Sequence, residues 1–351
     1  MNASGEAEAE GRGRLEFGVN LNNRAPLLTE GYGVADLVDL GVLAEQSGFH
    51  SLWVGDSLLA RPRHDPLVLM AALSQRTSDV RLGTACLVVS LRDPLYLAMA
   101  WATIDHLSGG RTVLGACAGN AAEEGVRREF TVQGLDVRSR VSRFEETLAV
   151  LRELWTKGSV TFHGRHLDYD DVAFFSGTEI EPLRPVQNPP PMWVVSNPRI
   201  GGLDPDATRH RVATAARRIV RLGDGWMTCC RATHPEEVAE QVAAIRAAAA
   251  EAGEDPDRFD VAYQVTVNVG ESRDDAARAF GEFISAYYPE FGSQVDLSDW
   301  GPVGTPDDVA AWIRTFAEAG VNRFLCRFAS MDQPGQVARF ARGVLPAVSG
   351  G

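Results

Sequence analysis

Short runs of β-branched and aromatic residues alternate with longer runs whose apolar positions recur at helical spacing, and the alternation persists nearly end to end. Residues 15–21 (LEFGVNL), 51–55 (SLWVG), 80–89 (VRLGTACLVV) and 112–117 (TVLGAC) read as the first four strands. Residues 192–196 (MWVVS), 226–230, 260–269 (DVAYQVTVNV) and 322–328 (NRFLCRF) read as the next four. Each is followed by a helical run. Leu37, Leu40, Leu43 and Ala44 mark a helix over 34–47 that Gly48 ends, and Pro66 and Pro94 open helices at a position suited to proline. After the fourth strand two helical stretches, 122–130 and 139–155, come in succession. The pattern pauses at 157–191, a Gly-, His-, Asp- and Pro-rich surface insertion with one hairpin, and again at 289–304.

Eight strand–helix units in one chain predict an α/β fold, a (β/α)8 TIM barrel with insertions after the fourth and seventh βα units. A doubly wound open sheet is the alternative. Residues 1–14 (MNASGEAEAEGRGR) read as a disordered tail and 15–351 as a single domain, with 157–191 as the lid.

The 351 residues are 45% hydrophobic with a formal charge of −13, which predicts a globular protein with no field for phosphate backbones and no nucleic-acid partner. No apolar run is long enough to span a bilayer, and the first residues lack a secretion-signal pattern. Five cysteines without a CxxC pair predict reduced thiols and a cytoplasmic location.

In such a barrel the active site gathers at the carboxyl ends of the strands. Those ends and their loops offer Asn20, Asn22, Asp56, Ser57, Thr84 to Cys86, Cys117 to Asn120, Ser196, Asn197, Thr228, Asn268 and Arg327. The set is neutral-polar with one strong carboxylate, Asp56, unlike a two-metal hydrolase, and no metal is expected. His163 and His166 fall in the insertion and read as surface residues. No GxSxG elbow, no P-loop and no GxGxxG after the first strand is present.

The segments AEQSGFHSLWVGD (44–56), VRLGTACLVVSLRDP (80–94) and TIDHLSGGRTVLGACAG (103–119) carry a resemblance. So do RFEETLAVLRELW (143–155), PPPMWVVSN (189–197), GDGW (223–226) and GTPDDVAAWIRTFAEAGVNRF (304–324). In this order and spacing the chain resembles the bacterial luciferase-like monooxygenase superfamily of flavin-dependent oxidoreductases. The resemblance implies a barrel that binds a flavin at its mouth and acts on a small organic, apolar or aromatic substrate. It implies either reduced FMN, supplied by a separate flavin reductase and used with O2, or the deazaflavin coenzyme F-420 (F420) in hydride transfer without oxygen. The FMN-dependent monooxygenase is the leading expectation, the F420-dependent oxidoreductase the alternative, and a non-catalytic flavin-binding protein a third. A homo-oligomer is implied as well.

The resemblance also assigns roles. A non-proline cis peptide beneath the flavin ring falls between Ala85 and Cys86, preceded by Thr84. Cys117 matches a reactive thiol beside the flavin, or is a small buried residue. Ser196 and Asn197 match flavin contacts, and the amides of Gly201 and Gly202, ahead of a helix, suit the phosphate. Asn20, Asp56 and Asn120 complete the cofactor-binding set. Two positions depart from the luciferase pattern. Ser57 follows Asp56 where luciferases carry a catalytic histidine, leaving His64 as the candidate. Ala118 follows Cys117 where an arginine binds the phosphate, leaving Arg140, Arg143 or Arg199. Trp226 and Phe328, with Trp53 and Trp193, are the candidate substrate wall or, equally, part of the core.

Overall fold

A computed structural model describes residues 14–174, 183–197, 204–229, 234–288 and 300–348. The strands in chain order are β1 (Glu16–Leu21), β2 (Ser51–Val54), β3 (Arg81–Thr84), β4 (Leu87–Val88), β5 (Thr112–Cys117) and β6 (Ser159–His163). Then come β7 (Asp168–Ala173), β8 (Met192–Val195), β9 (Gly225–Cys229), β10 (Asp260–Val269), β11 (Val303–Gly304) and β12 (Arg323–Phe328). The helices are α1 (Val34–Gln46), α2 (Pro66–Ser74), α3 (Pro94–Ser108), α4 (Glu124–Val132), α5 (Arg140–Lys157) and α6 (Pro205–Leu222). They continue with α7 (Pro235–Ala252), α8 (Arg273–Tyr287), α9 (Pro306–Glu318), α10 (Gln333–Gly343) and α11 (Leu345–Val348).

Strands β1, β2, β3, β5, β8, β9, β10 and β12 pair in that order, every pair parallel, and β12 returns to β1 to close the ring. This is the predicted (β/α)8 barrel. Its closure follows from the two-residue period of the strands, which gives each an inner and an outer face. Trp53, Ala85, Val113, Trp193, Met227, Ala262 and Leu325 turn inward and fill the lumen, with the Trp53 and Trp193 rings stacked at 4.9 Å. Room for two indoles comes from glycine on neighbouring strands. A Cβ on Gly83 would lie 2.2 Å from the Trp53 ring, and one on Gly225 2.6 Å from Trp193. The outer faces pack beneath the helices in a second, larger core that includes Phe17, Leu52, Leu114, Trp226, Phe324 and Phe328.

Two of the expected elements are interrupted. The third strand is not continuous over 80–89: it stops at Thr84, passes through a cis Ala85–Cys86 peptide, and resumes as β4 against β5. The final helix divides at Val344 into α10 and α11. The insertion does contain a hairpin, β6–β7, but it lies along the flank of α5. One carboxylate, Glu146, accepts from the amides of Arg165, His166 and Leu167 at 2.9–3.0 Å and pins the turn there. Most of the expected tail (1–13), residues 175–182 of the insertion and 289–299 of the second one lie outside the described residues. No helix among the described residues is long and apolar enough to cross a membrane.

Candidate functional site

At the carboxyl ends of the strands the loops leave a cleft of about 640 Å³, within the range of small-molecule sites. Its walls include Asp56, Ser57, Cys86, Cys117, Asn120, Ser196 and Asn197, brought together from four loops. Val88, Val126, Phe144, Val194 and Val195 supply an apolar lining, and Arg61, Arg63, Arg140, Arg211 and Arg218 bring five cations to it.

Each polar group at the base has a specific tether. Asp56 accepts from Arg92 Nη2 at 2.9 Å and from the Val88 amide at 3.1 Å, so it ties the strand after the cis bond to the loop after β2. Burial dominates its environment and pushes the carboxyl above the usual carboxylate range in spite of Arg92. Ser196 is fixed through its backbone: its amide donates to Met227 O at 3.1 Å and its carbonyl accepts from Trp226 Nε1 at 3.0 Å. Its buried hydroxyl has no partner among the described residues, an arrangement that favours a ligand contact. Asn197 accepts from Thr228 Oγ1 at 2.5 Å, and Asn120 donates to Glu123 Oε1 at 3.2 Å.

The upper wall after β2 is held by Glu129 on α4. Its Oε1 accepts from the amides of Leu58, Leu59 and Ala60 at 3.0, 2.7 and 2.9 Å. The side chain is almost completely buried. Ser57, which stands where the luciferase pattern has histidine, accepts from the Arg61 amide at 2.8 Å and closes the same turn.

Several expected site residues sit elsewhere. Asn20 occupies an inward strand position but is buried beside the lumen, and Thr84 is buried with its hydroxyl bonded to Gly115 O at 2.9 Å. His64 does not line the cleft; its backbone is clasped by Asn23 through both its amide and its carbonyl. Trp226 and Phe328 are corrected from substrate wall to core. Met227 and Leu325 face the lumen, so Trp226 and Phe328 face the helices, where Phe328 packs on Phe49 and Phe340. None of the described residues of the insertion lines the cleft, so its described part is not the expected lid. His163 pairs with Asp168 at 2.7 Å and His166 with Ser142 at 2.8 Å, so the two do not converge. Gly201, Gly202 and Arg199 lie outside the described residues. Of the two remaining candidate phosphate cations, Arg140 faces the cleft, while Arg143 donates to Ser90 O at 3.2 Å.

Sequence reasoning missed Arg61, Arg63, Arg211 and Arg218 in the cleft. The run LARPRH (59–64) after the second strand was the available signal, since a βα loop dense in cations lies at the mouth by topology. Tyr287 and Tyr288, at the end of α8, are buried and do not line the cleft, but they hold two nearby cations. Arg63 Nη1 donates to Tyr287 Oη at 2.6 Å, and Arg327 donates to the Tyr288 hydroxyl.

Comparison with known proteins matches residues 15–323 to the family described as luciferase-like monooxygenase. An F420-dependent glucose-6-phosphate dehydrogenase of Amycolatopsis mediterranei (strain U-32) is 28% identical over 346 residues, covering 90% of this chain and 95% of that protein. Among solved structures, monooxygenase RslO1 from Streptomyces bottropensis superposes with a TM-score of 0.77 at 22% identity, over 95% of this chain and 99% of that one. An F420-dependent secondary alcohol dehydrogenase in complex with an F420-acetone adduct does so at 0.75, also with 22% identity and coverage of 95% and 99%.

Proposed function

The chain belongs to the luciferase-like monooxygenase family, and from that membership we propose that it is an F420-dependent oxidoreductase. It moves a hydride between the deazaflavin and a carbon that alternates between alcohol and carbonyl. The observation that carries this reading over FMN-dependent oxygenation is the end-to-end likeness to an F420-dependent dehydrogenase. The alternative drawn from the sequence is therefore favoured over its leading expectation.

The cleft fits such a coenzyme. A tricyclic ring with a phosphate-bearing side chain needs a slot, an apolar wall and cations at one end. The cleft has the volume, the valines and Phe144, and the arginines. The unpartnered Ser196 hydroxyl is a ready ring or side-chain contact. Cys86, Cys117, Ser196 and Asn197 would hold the ring, and Arg140, with Arg211 and Arg218, the phosphate. When bound, the deazaflavin gives or takes a hydride and requires neither oxygen nor a reductase partner. The protein's share is to orient the coenzyme, exclude water through Val88, Val194, Val195 and Phe144, and manage the proton of the substrate hydroxyl. Asp56 lines the cleft, and each of its oxygens accepts one hydrogen bond and keeps a lone pair for that proton.

Anaerobic titration of the purified protein with F420 and with FMN tests the reading. F420 is expected to bind, and Arg140→Met to weaken it about tenfold, the worth of one charge-assisted contact. F420 is also expected to be reduced by a member of an alcohol panel of 2-propanol, cyclohexanol and glucose 6-phosphate. Tight FMN binding without F420 binding, together with substrate-dependent oxygen uptake, would return the assignment to a monooxygenase.

A further inference from the structure

Asp56 stands between two cavities. It lines the cleft, and with Ser57, Arg63, Val88 and Glu129 it also lines a second, smaller chamber of about 250 Å³. Leu58, Asp65 and Gln133 are further walls of that chamber. Those three are exposed and none of them lines the cleft, so the chamber meets solvent away from the cleft. The carboxyl is fixed at this boundary. Its Oδ1 accepts from Arg92 Nη2 at 2.9 Å and its Oδ2 from the Val88 amide at 3.1 Å. Arg92 also reaches Asp65 at 3.4 Å, so its charge is divided between two carboxylates. A carboxylate has about four acceptor sites, which leaves room on both Asp56 oxygens.

With Ser57 in the histidine position, the proton of a substrate hydroxyl needs another partner. The other acids of the cleft wall are committed. Glu129 holds three amides of the loop after β2, and Glu123 pairs with Arg61 at 2.5 Å. Cys86 and Cys117 offer thiols, which are weak hydrogen-bond partners for a hydroxyl. Burial is the largest influence on Asp56 and, with Asp65 nearby, raises its pKa, while Arg92 and the Val88 amide oppose the shift without cancelling it. Arg63 and Glu129 are the other charged groups on the wall that the two cavities share. A carboxyl moved toward neutral pH is better matched to both taking and returning a proton.

Building on the hydride-transfer reading, we infer that Asp56 is the proton-transfer residue of this enzyme and that the smaller chamber is its route to solvent while coenzyme and substrate fill the cleft. In the oxidative direction the carbinol C–H bond breaks and its hydrogen and electron pair go to the deazaflavin. The C=O bond forms as the O–H bond breaks, and the proton passes to the Asp56 carboxylate and leaves through the chamber. In the reductive direction the protonated carboxyl gives its proton to the nascent alkoxide and is reprotonated by the same route.

The test uses Asp56→Asn, which keeps the shape and an acceptor oxygen but cannot take the proton, and Asp56→Glu, which keeps the carboxyl. Infrared difference spectra of the coenzyme-free protein, wild type minus Asp56→Asn, are expected to show one carboxyl protonating above the usual value of about 3.9. On transfer to D2O its band should shift as fast with F420 bound as without. With F420 and the alcohol found by the panel, Asp56→Asn is expected to lose about 10²–10⁴-fold in kcat and the ionisation of this carboxyl from its pH profile, and Asp56→Glu to retain that ionisation. F420 affinity of Asp56→Asn should stay within about twofold of wild type. A carboxyl of ordinary pKa, exchange stopped by bound F420, wild-type kcat in Asp56→Asn, or an affinity loss that accounts for the whole fall in activity would each overturn the inference. Failure of the wild type to bind F420 would instead sink the hydride-transfer reading and the role with it, and the separate binding measurement distinguishes the two failures.

Discussion

Glu129 offers the sharpest check on how the cleft wall is built. One carboxylate oxygen accepts three consecutive amides, Leu58, Leu59 and Ala60, from a loop whose Leu58 and Leu59 side chains are themselves exposed. Those residues gain little from burial, so the loop's position depends on this acceptor. A hydrogen bond to a charged group contributes about 1.5–3 kcal/mol, and three that share one oxygen do not add fully. Glu129→Ala should therefore cost about 2–4 kcal/mol. With an unfolding entropy of about 2.1 cal/mol/K per residue over 351 residues, that is a fall in Tm of about 3–5 °C. Glu129→Gln keeps an acceptor of the same reach and loses only charge assistance, so it should fall about halfway. Because Ser57, Ala60 and Arg61 line the cleft, coenzyme affinity should drop in the same order, alanine below glutamine below wild type. Calorimetry and coenzyme titration on the three proteins give both readouts. An alanine variant with unchanged Tm and affinity would refute the loop-pinning argument. A glutamine variant as damaged as alanine would show that charge, not acceptor geometry, holds the loop.

Two further outcomes follow from the geometry. Gly83→Ala would place a Cβ 2.2 Å from the Trp53 ring in a lumen that is already full. An overpacking cost of about 1–3 kcal/mol or more is expected in chemical denaturation, and an unchanged midpoint would contradict the stated packing. Glu145 lies between Arg218 Nε at 2.7 Å and Arg221 Nη2 at 2.5 Å. Partial burial works against its charge, yet the two guanidinium groups outweigh it and lower its pKa. A lowered folded-state pKa stabilises the fold above the unfolded carboxylate pKa of about 4.3 and is lost as pH falls through the folded value. The Tm gap between wild type and Glu145→Gln should accordingly be present at pH 7 and close in acid. A gap that persists at pH 2 would argue against linkage to this carboxylate.

The alternation of strand and helix, the barrel, the place of the mouth and the segments shared with the luciferase-like family were all legible in the chain. They depend on local periodicity and on short contiguous runs. So was the location of the cis peptide at Ala85–Cys86 and the polar set Asp56, Cys86, Cys117, Asn120, Ser196 and Asn197 that the cleft brings together. Which of two adjacent bulky residues faces inward was not legible. WM at 226–227 and RF at 327–328 fit either parity, and only the closed ring sets Met227 and Arg327 inside and Trp226 and Phe328 outside. The charged surroundings of the site were legible only in part: the run LARPRH and the strand-end Arg327 stood in the sequence, but nothing local brings Arg63 and Arg327 to the tyrosines at the end of α8. Their meeting is decided by where the eighth strand closes against the first, because a ring of strands converts distance along the chain into proximity across its mouth.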